Sequence, residues 1–308
     1  MSTPQSPSRA ILFKLVSVSA FAAMAALIKA ASGRVPPGEA VFFRSAFAIP
    51  VILIWLAASR GLATGLKVSN PLGHFWRGFV GTAAMGLGFA GLGLLPLPEV
   101  TAIGYAAPLL TVIFAAMFLG EEVRLFRMSA VALGLAGVLI VLSPRLGATD
   151  GNETEALGAM VTLMGAVCAA LAQVFVRKLV RSETTSAIVF WFSVTSAGLA
   201  LLTAPFGWVW PDPAEATLLI CAGLFGGVGQ ICLTSAYRHA DAGVVAPFDY
   251  VSMLFALAIG YLVFAETPSA VMLAGAGLIV GAGVIIIWRE RQLGLARARA
   301  RKAMTPQG

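Results

Sequence analysis

The acid set deepest in an apolar run of this chain is Asp249, in the stretch VVAPFDYVSM at residues 244–253, with Pro247 and Tyr250 beside it. A carboxylate in such surroundings costs several kcal/mol unless it meets water, a partner or a ligand. It therefore reads either as a substrate or proton site or as a carboxylate hydrogen-bonded to a neighbouring helix for packing. Pro247 removes a backbone hydrogen bond and clashes with the preceding turn, which should kink or unwind the segment next to Asp249. Pro108 is expected to bend an earlier apolar run in the same way. Tyr105 and Tyr250 lie at comparable depth, away from the ends of their runs. Their hydroxyls need partners, and their rings can stack on a planar ligand or pack between helices. Gln173 and Gln230 carry amides that either bridge helices or touch a solute. Arg44, in the string FFR, can bind an anion, pair with Glu39 or Glu99, or snorkel to the boundary. Lys29 sits near the far end of the first run.

These residues make no catalytic constellation. HExxH, GxSxG and aspartate-rich pairs are all absent from the sequence, and His74 and His239 are its two histidines. No catalytic residue, metal ligand or cofactor is expected. Cys168, Cys221 and Cys232 fall inside apolar runs without metal spacing, where a small packing role is expected and a disulfide framework is not. The glycine strings GLFGG (223–227) and GLIVG (277–281) have the small-xxx-small spacing that lets helices approach, within a monomer or across a homodimer. Neither has the strand and lysine of a phosphate-binding loop.

The elements that must position these side chains are membrane helices. Of 308 residues 59% are hydrophobic and 11% charged, with a mean hydropathy of +0.90, against about 25% charged in a soluble domain. Ten apolar windows can be drawn, near 10–31, 40–58, 76–95, 99–119, 126–143, 157–176, 186–206, 216–236, 242–264 and 268–288. Each is long enough to cross a hydrocarbon core of about 30 Å at roughly 1.5 Å per residue. The fold class expected is an all-α integral membrane protein with ten transmembrane helices. The first window lacks a small-x-small cleavage site and has a counterpart later in the chain, so it is read as a helix rather than a signal peptide. With both termini cytoplasmic, 17 of the 21 lysines and arginines fall on inside segments, as the positive-inside rule requires of an inner-membrane, multi-pass protein. The net charge of +7 then reflects topology and attraction to membrane lipids. The tail LARARARK reads as a solvated cytoplasmic end, and no nucleic-acid partner is expected.

An offset of 145 residues superimposes GFVG (78–81) on GLFG (223–226), Tyr105 on Tyr250 and Glu121 on Glu266. An offset of 148 pairs VFF (41–43) with VFW (189–191), and AGV recurs at 136–138 and 282–284. Under these offsets Asp249 falls opposite Gly104. Features recurring in the same order mark an internal repeat. Five crossings per half is an odd number, so the second half enters the membrane from the opposite side. Two inverted five-helix repeats around a midplane site are a signature of secondary transporters. The expected organisation is a cytoplasmic N-terminus (1–9), a first repeat (10–143), an external linker (144–156), a second repeat (157–288) and a basic cytoplasmic tail (289–308).

The strings AVFFRSAFAIP (40–50), LPLPEVTAIGYAAPLLTVIFAAMFLGEE (95–122) and DAGVVAPFDYVSMLFALAIGYLVFAETPS (241–269) resemble the drug/metabolite transporter superfamily, specifically its EamA-like ten-helix members. The resemblance covers roughly residues 10–288. It implies a helical bundle around a central cavity that opens alternately to either side, and transport of small metabolites without fixing which. The substrate expected is a small molecule with an apolar or planar part, such as a vitamin like riboflavin, an amino acid or a nucleoside-like compound. An exporter of broad specificity is the alternative, and a channel or a membrane enzyme would be a different class.

Overall fold

The structure, a computed structural model, describes residues 7–59, 61, 65–120, 125–146, 153–179, 182–239 and 246–304. Every regular element among them is helical. In chain order these are α1 (Pro7–Ala31), α2 (Pro37–Ala58), α3 (Pro71–Leu94), α4 (Leu97–Gly104), α5 (Ala106–Leu119), α6 (Leu125–Leu146), α7 (Glu153–Leu179), α8 (Thr185–Leu201), α9 (Pro213–His239), α10 (Val251–Phe264) and α11 (Ala270–Met304). Two 3-10 turns, Ala204–Phe206 and Ala246–Tyr250, lie between them. Six spans are long and apolar enough to cross a membrane: Ser8–Ala31, Pro37–Ala58, Leu97–Leu119, Met128–Arg145, Glu153–Leu179 and Pro213–Ala236. Thr185–Leu201, Phe248–Phe264 and Ala270–Ile286 are apolar but shorter. Large side chains such as Ile54, Phe118, Leu139 and Leu262 are exposed on the outside of the bundle, where lipid would meet them.

Local sequence sets the helix starts. Proline stands at the first turn of α2 and α3, where a missing N–H costs nothing. The Asn70 side chain caps α3 by accepting from the Gly73 N–H (2.9 Å), and Thr184 caps α8 by accepting from Ala187 (3.2 Å). Asp212 accepts from the amides of Ala214 and Glu215 while Glu215 accepts from the amide of Asp212, a reciprocal capping box before α9.

The principal packing joins the two halves of the chain. α1 lies along α9 and α3 along α7; α2 packs on α9 and α8, α3 on α8, α6 on α11, and α4 on α10. Exchanging α1, α2, α3 and α6 for α7, α8, α9 and α11 turns the α1–α9, α3–α7, α2–α9, α3–α8, α2–α8 and α6–α11 packings into one another or themselves, whereas the smaller α2–α3, α1–α3 and α6–α7 contacts have no counterpart of similar extent. At the α6–α11 crossing a Cβ on Gly275 would lie 2.7 Å from the Gly137 carbonyl oxygen, so the two backbones touch there.

Two of the expected spans are broken. α4 stops at Gly104, Tyr105 stands between helices with φ −68° and ψ −6°, and α5 starts at Ala106. Tyr250 likewise closes the 3-10 turn with φ −68° and ψ −14° before α10 starts at Val251. The breaks are thus 145 residues apart, as are the left-handed residues that end α5 and α10, Gly120 (φ 66°) and Ala265 (φ 53°). The bend expected at Pro108 lies three residues before it. Pro108 is the third residue of α5, where its N–H would have no helical partner, and its ring excludes the carbonyl of Gly104 four residues back. Pro247 lies within the 3-10 turn, so the backbone there is not α-helical, and the α-helix resumes four residues later. Helix α11 runs through the basic stretch to Met304, so residue 288 is not a helix end. Glu121 and Glu122 fall outside the described residues.

Candidate functional site

The break before α10 brings Asp249 to the first half of the chain. Its carboxylate Oδ1 is 2.5 Å from Nζ of Lys14 on α1. The lysine is 1% exposed, while the aspartate side chain keeps 48% of its surface. An ammonium sealed to this extent requires a counter-charge, and Asp249 supplies one. The backbone carbonyl of Asp249, freed by the end of the 3-10 turn, accepts the Ser252 hydroxyl at 2.7 Å. The Tyr105 hydroxyl lies 2.5 Å from Ser252 Oγ, where one of the two donates to the other. The same Tyr105 hydroxyl lies 3.2 Å from the Asp249 carbonyl oxygen. The rings of Tyr105 and Tyr250 meet with centroids 5.2 Å apart at 56°. Three of the residues singled out in the sequence, Asp249, Tyr250 and Tyr105, therefore form one cluster across the junction of the halves.

Ser252 also lines a cavity of about 120 Å³ between α1, α4 and α10, together with Phe21, Ala25, Leu97, Thr101 and Ala256. Gly104, opposite Asp249 under the 145-residue offset, has nothing within 4 Å of where a Cβ would be. Gln230, on α9, is half-buried and Gln173, on α7, is exposed, and neither lines this cavity.

Further along α1, by about 22 Å at 1.5 Å per residue, Lys29 holds the other end. Its Nζ is 2.9 Å from the Glu266 carboxylate and donates to the carbonyls of Leu92 (3.1 Å) and Leu95 (2.7 Å). Glu266 in turn accepts from the Leu97 N–H at 2.8 Å, so a carboxylate of the second half caps α4 in the first. Arg44 pairs with neither of the acids considered for it. Glu99 is taken by Arg145 (2.7 and 3.0 Å), which also contacts Glu155, and Glu39 accepts from the Val209 N–H (3.1 Å). Arg44 is buried instead, with its guanidinium carbon 5.7 Å from the centroid of the Phe192 ring.

This arrangement of broken helices and buried ion pairs between two similar halves has a close counterpart in sequence. The model of the EamA-like transporter family matches residues 8–143 and again residues 156–288. The chain belongs to that family. Among its relatives, the pseudopaline exporter CntI of Pseudomonas aeruginosa is 30% identical over 282 residues, 90% of this chain and 95% of that protein. An S-adenosylmethionine uptake transporter of Rickettsia bellii is 29% identical over 281 residues, covering 91% and 93% of the two chains. A riboflavin transporter of Rhizobium johnstonii is 30% identical over 259 residues, covering 83% and 82%. A solved crystal structure aligns with 94% of this chain and 99% of its own at a TM-score of 0.67 and 23% identity, which bears on the fold alone. The family and these relatives are transporters rather than enzymes, and this chain is a multi-pass membrane protein of the same kind.

Lys14, Ser252 and Phe192 lie outside the residues to which the sequence points for a site. Lys14 lies inside the first apolar window, but a lysine this near the end of a window is also explained by the orientation of the chain. Ser252 and Phe192 carry no such signal, because hydroxyls and rings are common in apolar helices.

Proposed function

We propose that the protein is an inner-membrane secondary transporter that moves a small organic metabolite by alternating access, with both termini cytoplasmic and two inverted five-helix repeats. The observation that carries this is the Lys14–Asp249–Tyr105–Ser252 cluster, which ties the halves together beside a cavity that lies between them. The six principal packings that map onto one another or themselves when the halves are exchanged, and the matching breaks at Tyr105 and Tyr250, support the repeat. Asp249, Tyr250 and Tyr105 border the substrate path, and Pro247 and Pro108 keep the helices there open enough to expose backbone carbonyls. A cavity of about 120 Å³ is well below the roughly 300–1,000 Å³ of a pocket for a drug-sized ligand. On this reading, cargo of that size enters only after the halves part at one end. The aromatic pair favours a substrate with a planar or apolar part.

Uptake and efflux of a panel of vitamins, amino acids and nucleosides, measured in vesicles with and without a proton gradient, test this. At least one organic solute should move with saturable kinetics; movement of inorganic ions alone would sink the proposal.

A further inference from the structure

Two guanidinium groups stand unneutralised inside the bundle. Arg44 on α2 is 5% exposed and its Nε has no hydrogen-bond partner; Nε and Nη1 of Arg77 on α3 are likewise buried and unpartnered. Both approach one ring, Phe192 of α8, with guanidinium carbons 5.7 and 3.6 Å from its centroid. A ring face attracts a cation but accepts none of these N–H bonds in its plane. Among the described residues, the carboxylates of Glu39, Glu99, Glu183, Asp249 and Glu266 each hold a partner elsewhere. Two like charges brought to the same ring without an internal anion are costly in a low-dielectric interior.

The surroundings are shaped to leave the guanidiniums room. A Cβ on Gly81 would come 2.8 Å from Nη1 of Arg77, and one on Gly226 would come 3.2 Å from Nε of Arg44. These glycines are 145 residues apart, the spacing of the repeat, and Arg44 and Phe192 are related by its 148-residue offset. Each half thus contributes a corresponding position, a charge from one and an aromatic face from the other. Met24 packs against the Gly226 position, one turn along α1 from Phe21, which lines the cavity beside Ser252.

We propose that Arg44 and Arg77 form a subsite for the carboxylate or phosphate of an organic anion, with Phe192 as the flat wall beside it, at the junction of the halves. The planar fork of an arginine matches both groups through paired N–H bonds; a carboxylate bound between the two would offset one of the two charges and a phosphate dianion both. The inference rests on the transporter reading and specifies one class of its cargo.

Purified protein in detergent is titrated with benzoate, phenyl phosphate, the neutral benzamide and the short-chain lipid dioctanoyl phosphatidylglycerol, with thermal unfolding as the readout. Benzoate or phenyl phosphate should raise the melting temperature and benzamide should not. Arg44→Gln and Arg77→Gln should each weaken the anion's effect about tenfold or more. Equal stabilisation by benzamide, an unchanged response in both variants, or stabilisation by the lipid alone would overturn the subsite. Should the glutamine variants fail to fold, Arg44→Lys and Arg77→Lys decide: they keep the charge and lose the fork, so they should bind phenyl phosphate about threefold or more weakly, and wild-type affinity would count against it. Loss of the anion effect alongside intact transport of a neutral solute removes the subsite and spares the transporter; anion binding without transport of any solute does the reverse.

Discussion

At the residue scale Asp249 has two attachments to the first half, its carboxylate on Lys14 and its carbonyl 3.2 Å from the Tyr105 hydroxyl. Asp249→Asn removes the first and leaves the second. Because the aspartate is half exposed, the loss falls between that of a surface pair and a buried one, about 1–3 kcal/mol. Thermal unfolding should show that loss, and vesicle transport should fall on the order of tenfold or more if the carboxylate meets the cargo. Adding Lys14→Met should recover part of the stability, since it removes the buried ammonium that faced the carboxylate, and none of the transport. Full transport by the double variant would show the pair to be structural. Gly104→Ala probes the opposite position in the repeat. With open space around it the new methyl should leave stability unchanged or higher by a few tenths of a kcal/mol, while slower uptake would mark that space as part of the solute path. Asp249 was legible in the sequence because a lone acid in an apolar run demands an explanation. Its partner was not, because a lysine near a membrane boundary already has one.

Elements were legible as lengths of apolar chain, and their interruptions only in part. Proline foretold a bend, but its clash acts four residues upstream, so the break belongs to Tyr105 and no composition count marks that residue. Ala265 carries a second consequence of the repeat: it occupies a left-handed conformation that its counterpart Gly120 adopts without strain. Ala265→Gly should therefore stabilise the protein by about 0.5–1 kcal/mol and Gly120→Ala should cost a similar amount, both read as shifts of the melting temperature. A loss of stability in Ala265→Gly would mean that its methyl group packs too well to give up.

For the molecule as a whole, composition was enough to announce a membrane bundle, and the offset of 145 residues to announce two similar halves. Which charges join those halves depended on side-chain reach and could not be read from spacing. At the Lys29 end, Glu266 both pairs with the lysine and caps α4, so Glu266→Gln should loosen that closure. In a protein whose three cysteines are replaced, Ser252→Cys should then react several-fold faster with a membrane-impermeant thiol reagent added from outside; an unchanged rate would place the closure elsewhere. The unequal exposure of the Lys14–Asp249 pair has one more consequence. A cation or proton can reach the half-exposed carboxylate while the ammonium of Lys14 stays sealed. Cargo that took the aspartate would therefore work against the pull of the lysine, and its release would let the pair close again.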